Sequence, residues 1–373
     1  MNIPWEEFWW QNVTGPHALV TSVSSALQEN RSVVLQVPPD LPWRHSMRSA
    51  IQQDLRSRID NSDVVLESID NVDDNPDHLL PGRFLLNRFA PSAVSKGYRE
   101  KGKTTIQAYL SAYRVLKNRI IWINGLDRDS ANQWIQFCHQ FPSHTVRDGL
   151  FVLEVPETLP AFSASNLRFI PFSDCISSYD VQLFNLVILG EDRSLTSVWK
   201  GYIASLLANV CDVDAEVSCQ LLHGMDFRTT SIWDGLQELA ALPEFSRRGR
   251  DKSSKHIFHS CRSGRQDVIS YRVWKTQLQT VFPIIEMGRI RLIETWSKEI
   301  QHLLDTREIL QYDEPITDLM DVELGTLFYL LQSNQLCLPD NSVRERVQFL
   351  RTCRNKLAHS TCCSLQEIAL LLD

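Results

Sequence analysis

The alternation of short β-rich runs with helical patterns over the first half of the chain is the feature that most limits its fold. A run of mostly branched apolar residues at Ser32–Val37 is followed by Met47, Ile51 and Leu55 at helical spacing. Further runs of the two kinds alternate at 64–66, 105–116, 119–124, 130–141, 150–155 and 167–170. Strands that alternate with helices predict a parallel sheet covered on both faces. Such a sheet places its ligand site at the carboxyl ends of its strands.

The second half is expected to be helical, because no strand is predicted beyond about residue 178. Apolar residues recur there every three or four positions, and the longest such stripe runs from 268 to about 304, with a break near Pro283. The predicted fold class is an α/β domain with a P-loop-type parallel sheet, a helical subdomain and an all-α C-terminal bundle. The predicted bounds are 1–178 for the α/β domain, 179–245 for a helical lid or winged-helix-like subdomain, 246–267 for a basic linker and 268–373 for the bundle.

Three shorter segments have their own signals. Residues 70–103 are polar and interrupted by prolines, which predicts a long loop or insertion. The Arg- and Lys-rich stretch at 246–266 is interpreted as a solvated tether, and contact with RNA or DNA phosphates is its functional alternative. The aromatic cluster of Trp5, Phe8, Trp9 and Trp10 is expected to be core rather than a partner surface.

Composition and charge argue against several classes of protein. The chain has 373 residues and a net charge of -7, so any contact with nucleic acid would need a local basic patch. Its nine cysteines are scattered, which predicts neither a disulfide framework nor a metal site, and His256, His259 and Cys261 lack a second pair at zinc-site spacing. The N-terminus has no signal-peptide pattern, and no stretch is long and apolar enough to span a membrane. We predict a cytoplasmic protein without membrane contact.

A literal phosphate-binding pattern occurs at Gly97–Thr104, where Gly102, Lys103 and Thr104 match the Gly-Lys-Ser/Thr end of a Walker A motif. A working loop of this kind follows a buried strand, which aims its backbone N–H groups at the phosphates. The preceding residues 89–96 make a poor strand. The pattern therefore nominates these three residues for nucleotide binding without the structural context that the motif needs.

The loop after the first strand is the better topological position for a phosphate. Residues 38–46 there contain three prolines and no glycine, and His45-Ser46 stands where Lys-Ser/Thr is expected. Prolines remove N–H donors that a phosphate cradle requires. Asn124 ends the strand where a magnesium-supporting acid is expected, and Asp127 follows closely. Glu154 and Glu157 could fill a sensor-like position, although a solvated acidic turn is the simpler interpretation.

In its strand order and helical appendage, the segment from about 20 to 240 resembles the AAA+/STAND class of P-loop ATPases. The resemblance implies switching or assembly driven by ATP. The departures at Pro39, Arg44, His45 and Asn124 argue against hydrolysis, so the chain is interpreted as a pseudo-ATPase for which ATP and Mg²⁺ are not established cofactors.

The second motif with chemical content is the Arg-Asn-x-x-x-His sequence near the C-terminus. On a helix, Arg351, Asn355 and His359 share one face at four-residue spacing, and Arg354 lies at its border. Metal-free RNA cleavage needs a group that takes the 2′-OH proton, and His is suited to this. It also needs a group that holds the scissile phosphate, and Arg is suited to that.

Residues 268–373 resemble the HEPN family of helical domains, through Arg354, Asn355 and His359 and the Leu357-Ala358-His359 context. The resemblance implies a homodimer with a composite site that often cleaves RNA in bacterial defence or toxin systems. Many members lack catalysis and serve as binding modules. The structural alternative is that His359 caps its helix and Arg354 forms a surface ion pair.

The leading hypothesis is therefore a bacterial defence protein in which a degenerate ATPase-like domain regulates a metal-independent endoribonuclease. His359 is assigned as general acid/base, Arg354 as phosphate holder and Asn355 as the orienting group. The expected partners are RNA and either a second copy, through the helical domain, or another defence protein. Two alternatives stay open: a non-catalytic scaffold subunit, and an ATPase that binds nucleotide through Lys103 and Thr104.

Overall fold

The computed structural model describes residues 4–58, 64–99, 102, 104–142, 148–161, 164–250, 255–311, 314–338 and 342–373. The chain divides into two compact units. The first comprises Met1–Asp180 with Val213–Glu216, and the second comprises Val181–Asp212 with Val217–Asp373.

The first unit is built on a five-stranded parallel sheet with the order β2-β3-β4-β1-β5. The strands are β1 (Ser32–Val37), β2 (Val65–Asp70), β3 (Arg119–Asn124), β4 (Leu150–Pro156) and β5 (Leu167–Pro171). All five predicted strands are therefore present. β1 lies between β4 and β5, and its register opposes Leu35 to Glu154 of β4. β1, β3 and β4 are almost wholly buried, as near-continuous apolar strands of a parallel sheet should be.

Helices cover both faces of this sheet. They are α1 (Trp5–Asn12), α2 (Thr14–Gln28), α3 (Arg44–Arg58), α4 (Pro81–Phe89), α5 (Ser92–Gly97), α6 (Ile106–Ala112), α7 (Arg128–Gln140), α8 (Phe172–Cys175) and the start of α9 (Ser178–Gly190). Val34, Ile121 and Leu153 join one core with residues of α4, α6 and α7. Because strand side chains alternate between faces, Trp122 and Glu154 point to the other face. Trp9 and Trp10 of α1 are buried, which confirms them as core.

The prediction of a long loop at 70–103 is wrong, since α4 and α5 lie within it. Phe84, Leu85 and Leu86 of α4 are buried in the core. Two of the three prolines that suggested a loop instead begin these helices, with Pro81 in the first turn of α4 and Pro91 as the N-cap of α5. Proline suits that place because the first helical N–H groups have no intrahelical partner.

The second unit is almost entirely helical. It contains the rest of α9, followed by α10 (Ser197–Cys211), α11 (Ala215–Gly224, whose first two residues belong to the first unit), α12 (Ile232–Ala241), α13 (Ile257–Arg262), α14 (Gln266–Thr280), α15 (Phe282–Thr295), α16 (Ser297–Thr306), α17 (Leu324–Gln332), α18 (Ser342–Ala358) and α19 (Leu365–Leu372). A two-residue antiparallel pair, β6 (Leu310–Gln311) with β7 (Glu314–Pro315), was not predicted. The α/β unit followed by a helical C-terminal region confirms the predicted fold class.

Two predictions for this unit need correction. The supposed tether at 246–267 contains α13, in which Ile257 and Phe258 are buried, and Arg262 donates to the carbonyls of Ala240 and Phe245. The predicted break near Pro283 is confirmed at Val281, between α14 and α15, but a second break at Trp296, which separates α15 from α16, was not predicted.

One hydrophobic cluster joins buried residues from Leu189 to Leu372, so residues on both sides of the basic segment share a core. Residues 179–245 form helices and a 3-10 turn without a strand. The division into a subdomain, a linker and a bundle stays a prediction. Among the described residues, no helix has the length and apolar character needed to cross a bilayer.

Candidate functional site

The loop between β1 and α3 lies at the carboxyl end of a central strand, where a parallel sheet offers its ligand site. Trp43 adopts a left-handed backbone conformation, with φ of 43°, immediately before α3. Its N–H donates to the Glu216 carboxylate at 2.8 Å, and its carbonyl accepts from the Trp10 indole at 3.2 Å. A helix N-terminus attracts anions. Here a carboxylate from the same chain already meets the N–H at the start of α3.

A second carboxylate, that of Glu154, lies beneath the first turns of α3. Its side chain is only 1% exposed, and it projects from the central strand β4. Arg44 donates to one oxygen at 2.8 Å, and Arg48 Nε donates to the other at 2.8 Å. The Trp122 indole on β3 donates to that second oxygen at 2.6 Å. Two guanidinium groups therefore bind an internal carboxylate at the place where the resemblance to P-loop proteins implies a phosphate.

This arrangement is costly to disrupt. Removing one partner of a buried ion pair lowers the free energy of unfolding by about 3–5 kcal/mol, because it leaves a buried charge without its counter-charge. The interpretation of Glu154 as part of a solvated acidic turn is therefore wrong, whereas Glu157 is exposed. His45 is exposed and Ser46 half-buried in the first turn of α3, so both lie at the predicted position.

At the ends of β2 and β3, the polar residues bind one another. Asn124 donates to Asp70 at 2.8 Å, and Asp70 also accepts from the N–H of Val72 at 2.9 Å. Gly125 follows with φ of 70°, and a Cβ there would lie 2.7 Å from an Asp70 oxygen, which requires glycine. Asn124, which was predicted to stand in place of a magnesium-supporting acid, thus links β3 to the neighbouring strand β2.

Asp127 caps α7. Its side chain accepts from the Ser130 N–H, and the Asp127 N–H donates to the Ser130 hydroxyl oxygen, which completes a capping box. Two hydrogen bonds lower the pKa of Asp127: the larger effect comes from the Ser130 side chain, and the smaller one from the Ser130 N–H. The carboxylate that was predicted to bind nucleotide or magnesium therefore has a structural use.

The literal Walker-type pattern follows a helix rather than a strand. α5 ends at Gly97, and the N–H of Gly102 donates to the carbonyl of Arg99 at 3.0 Å. Thr104 is exposed, and the next residue, Thr105, caps α6. Lys103 lies outside the described residues. The strand that would aim this loop at a nucleotide is replaced by α5.

The Arg-Asn-x-x-x-His motif spans the end of α18. Arg354 and Asn355 line a cleft of about 710 Å³ between α15, α17, α18 and the segment around β7. Arg354 lies 3.8 Å from Glu323 and donates to the Asn355 side-chain oxygen at 3.4 Å. Arg351, one turn earlier, also lines the cleft and places its guanidinium 4.9 Å over the ring of Phe328.

His359 lies outside this lining. It follows the last residue of α18 and is exposed, and its N–H donates to the carbonyl of Asn355 at 3.0 Å. Ser360 takes the left-handed conformation with φ of 57°, and the Thr361 N–H returns to the carbonyl of Lys356 at 2.8 Å, which ends the helix in a Schellman motif. The structure brings Arg354 and Asn355 together and leaves His359 about one helical turn away from them.

The charge of the cleft was not foreseen from the sequence. Arg289 pairs with Glu286 at 2.8 Å and donates to the carbonyl of Met320. Asp321 and Glu314 also line the cleft. These residues come from separate elements, so no local motif identifies them. In contrast, the Arg44 and Arg48 pair carried a signal, since they stand four residues apart on α3 and a single acid interrupts the apolar strand β4.

Neither a known family nor a curated protein matches the sequence. Weak similarity exists to solved structures of Cdc6p from Pyrobaculum aerophilum (TM-score 0.35, 10% identity, 95% of this chain and 91% of that chain) and of the Aeropyrum pernix Orc1 protein in complex with DNA (0.33, 11%, 95% and 97%). Drosophila ORC bound to poly(dA/dT) DNA and Cdc6 is similar at a TM-score of 0.27 and 11% identity, over 97% of this chain and 70% of that chain. We therefore derive the chemistry of this chain from its own residues.

The Glu154 network generates the first prediction. Glu154→Gln leaves Arg44 and Arg48 without their buried counter-charge, so we expect the free energy of unfolding to fall by about 3 kcal/mol. Urea unfolding followed by tryptophan fluorescence measures the change. The exposed control Glu29→Gln should stay within about 0.5 kcal/mol of the wild type. An equally small effect of Glu154→Gln would contradict the network's structural role.

The capping role of Asp127 leads to a second prediction about stability. Asp127→Ala should lower stability by about 1 kcal/mol, whereas Asp127→Asn should keep most of it, because Asn caps helices well. Since folding lowers the pKa of this carboxyl, the smaller part of its contribution that depends on charge is present above the ordinary pKa and lost as the pH falls through the folded value. Denaturation curves of both variants near neutral and at acidic pH test this. Equal losses in the two variants would show that Asp127 acts through its charge instead.

Proposed function

We propose that the helical unit acts on RNA as a metal-independent endoribonuclease and that the α/β unit regulates it without hydrolysing ATP. The observation that carries the first half is the convergence of Arg354 and Asn355, with Arg351, on one cleft at the end of α18. Two guanidinium groups and an amide on one wall are suited to a phosphodiester and its developing charge.

His359 supplies the proton chemistry in this proposal. Imidazole can take the 2′-OH proton and return a proton to the leaving oxygen without a metal. Attack by the 2′-oxygen on phosphorus expels the 5′-oxygen and leaves a 2′,3′-cyclic phosphate. Arg354 holds the phosphate and Asn355 orients it or His359.

The exposed position of His359 supports a composite site. A residue on the surface, next to the cleft but outside its lining, is available to a cleft on another molecule. The resemblance to HEPN domains implies a homodimer with such a site. We therefore propose pairing of two copies through the helical unit, with a complex with another defence protein as the alternative.

The regulatory role of the α/β unit rests on its internal anions. Glu154 occupies Arg44 and Arg48, and Glu216 occupies the N–H at the start of α3. The order β2-β3-β4-β1-β5 supports the resemblance to AAA+/STAND ATPases in layout. We infer that this unit recognises a partner protein rather than turning over ATP. The defence context follows from the resemblances alone, and the cytoplasmic location follows from the sequence pattern alone, so both stay predictions.

A scaffold function is the second candidate, and two observations favour it. His359 does not join Arg354 and Asn355 in the cleft of a single chain. The cleft also has four acidic residues, Glu286, Glu314, Asp321 and Glu323, which oppose an RNA backbone. In a scaffold, Arg354 would form an ion pair with Glu323, and His359 would only end its helix.

A cleavage assay on defined single-stranded RNA, with EDTA present, separates the two candidates. We expect wild-type cleavage that leaves 2′,3′-cyclic phosphate ends. His359→Ala and Arg354→Ala should each lose at least about 100-fold in rate, as expected for loss of acid–base or phosphate-stabilising groups. Two matched controls should retain activity. His302→Ala removes an exposed histidine of α16, and Arg344→Ala removes an exposed arginine of α18.

Equal activity in the four variants would assign any cleavage to a contaminant and contradict the proposal. Absence of cleavage, with and without candidate partners and ATP, would favour the scaffold. Mixing inactive His359→Ala with inactive Arg354→Ala tests the composite site, because mixed dimers contain one site with both groups and should recover part of the activity.

A further inference from the structure

Two buried thiols lie together under the Arg-Asn-x-x-x-His motif. Cys353 of α18 is 0% exposed, and Cys363, just before α19, is 5% exposed. Their sulfur atoms and a Glu367 carboxylate oxygen all lie within 4.8 Å of one another. Cys363 Sγ also lies 3.9 Å from the carbonyl oxygen of Cys353. No role in the proposed cleavage reaction uses this pair.

Neighbouring helices fix both ends of the segment between the two thiols. Gln277 of α14 binds both sides of the Cys363 backbone, accepting from its N–H at 2.8 Å and donating to its carbonyl at 3.2 Å. Trp274 of α14 donates to the carbonyl of Leu357 at 2.8 Å. Lys356 binds both oxygens of Glu367, at 2.7 and 2.8 Å, which joins α18 to α19. The thiols therefore face each other in a held geometry.

The two thiols differ in acidity. A hydrogen bond from Cys363 lowers the pKa of Cys353 despite its burial, and the Lys356 and Arg346 charges add to this. The same hydrogen bond, followed by burial, raises the pKa of Cys363. The thiolate is the nucleophilic form of cysteine. Because this hydrogen bond favours the thiolate form of Cys353, we assign the first step of the reaction to Cys353 and the second to Cys363.

A metal ion fits this cluster less well than a covalent link. Structural zinc sites usually have four protein ligands, and the described residues supply three here. Both oxygens of Glu367 already bind the Lys356 ammonium, and one also accepts from the N–H of Ser364 at 2.7 Å. A cation that bound the Glu367 carboxylate would have to displace the Lys356 ammonium.

We propose that Cys353 and Cys363 are a redox site that forms a reversible disulfide when the chain meets a peroxide. The Cys353 thiolate attacks a peroxide oxygen, the O–O bond breaks, and a sulfenic acid and hydroxide (or alkoxide) result. The Cys363 sulfur then attacks the Cys353 sulfur, and the S–O bond breaks. The released hydroxyl takes the Cys363 proton and leaves as water. The two sulfurs are oxidised, and the peroxide is reduced.

The link closes the segment that carries Arg354, Asn355 and His359. The left-handed turn at Ser360 lies inside this loop, so the disulfide restricts movement of His359 relative to α18. The functional consequence rests on the proposed ribonuclease: oxidation should slow cleavage at least about tenfold if His359 must move toward a cleft, since small misplacements of catalytic groups have effects of that size or more.

Peptide mapping of the wild-type chain tests the chemistry without any variant. Reduced protein is treated with hydrogen peroxide, blocked with a thiol reagent in denaturant, digested and analysed by mass spectrometry. We expect a peptide pair joined through Cys353 and Cys363, two hydrogen atoms lighter than the separate peptides, which disappears after reduction. Cys362→Ser should still form the link, because Cys362 instead lies against the Ser270 carbonyl at 3.4 Å.

Three results would overturn the disulfide: both thiols alkylated after peroxide treatment, a link through Cys362 instead, or one zinc ion per chain that is lost in Cys353→Ser. The mapping does not depend on cleavage of RNA. An inactive chain that forms the link would contradict the ribonuclease alone. An active chain whose rate is unchanged by the link would contradict the regulatory consequence alone.

Discussion

The buried carboxylate of Glu154 is the charge on which the α/β unit depends. It lies on the central strand β4, and it receives Arg44 and Arg48 from α3 and the Trp122 indole from β3. These contacts attach the first turns of α3 to two adjacent strands. They also use the positive charge that a nucleotide phosphate would need at the end of β1. One interaction therefore organises the unit, and it is the basis of our proposal that the unit does not turn over ATP.

Other polar residues at this edge of the sheet also bind partners within the chain. Glu216 binds the Trp43 N–H, Asn124 binds Asp70, and Asp127 caps α7. Each of these polar groups therefore has a partner within the chain. The cleft of the helical unit differs, because Arg351 there lies over an aromatic ring and forms no ion pair with a residue that the structure describes. The guanidinium of Arg351 is one reason why we propose that the chemistry belongs to the helical unit.

Local patterns predicted the strands well, because runs such as Ser32–Val37 and Arg119–Asn124 are apolar on both faces, as buried parallel strands are. They failed at α4 and α13, where proline or basic residues resembled loop signals and tertiary burial of Phe84 or Phe258 decided the structure. The partnership of Glu154 with α3 could not be predicted, since it joins residues more than 100 positions apart. Helical spacing placed Arg351 and Asn355 on one face correctly. It also placed His359 on that face, although His359 follows the end of α18 at Ala358.

We propose that internal carboxylates occupy the groups of the α/β unit that would otherwise bind a nucleotide phosphate. Equilibrium binding of ATP with Mg²⁺, measured by titration calorimetry on the whole chain, tests it most directly. We expect no saturable binding up to millimolar ATP, and the same result for Lys103→Ala. Binding at micromolar affinity that Lys103→Ala abolishes would contradict it and would establish the Gly97–Thr104 segment as a working phosphate loop.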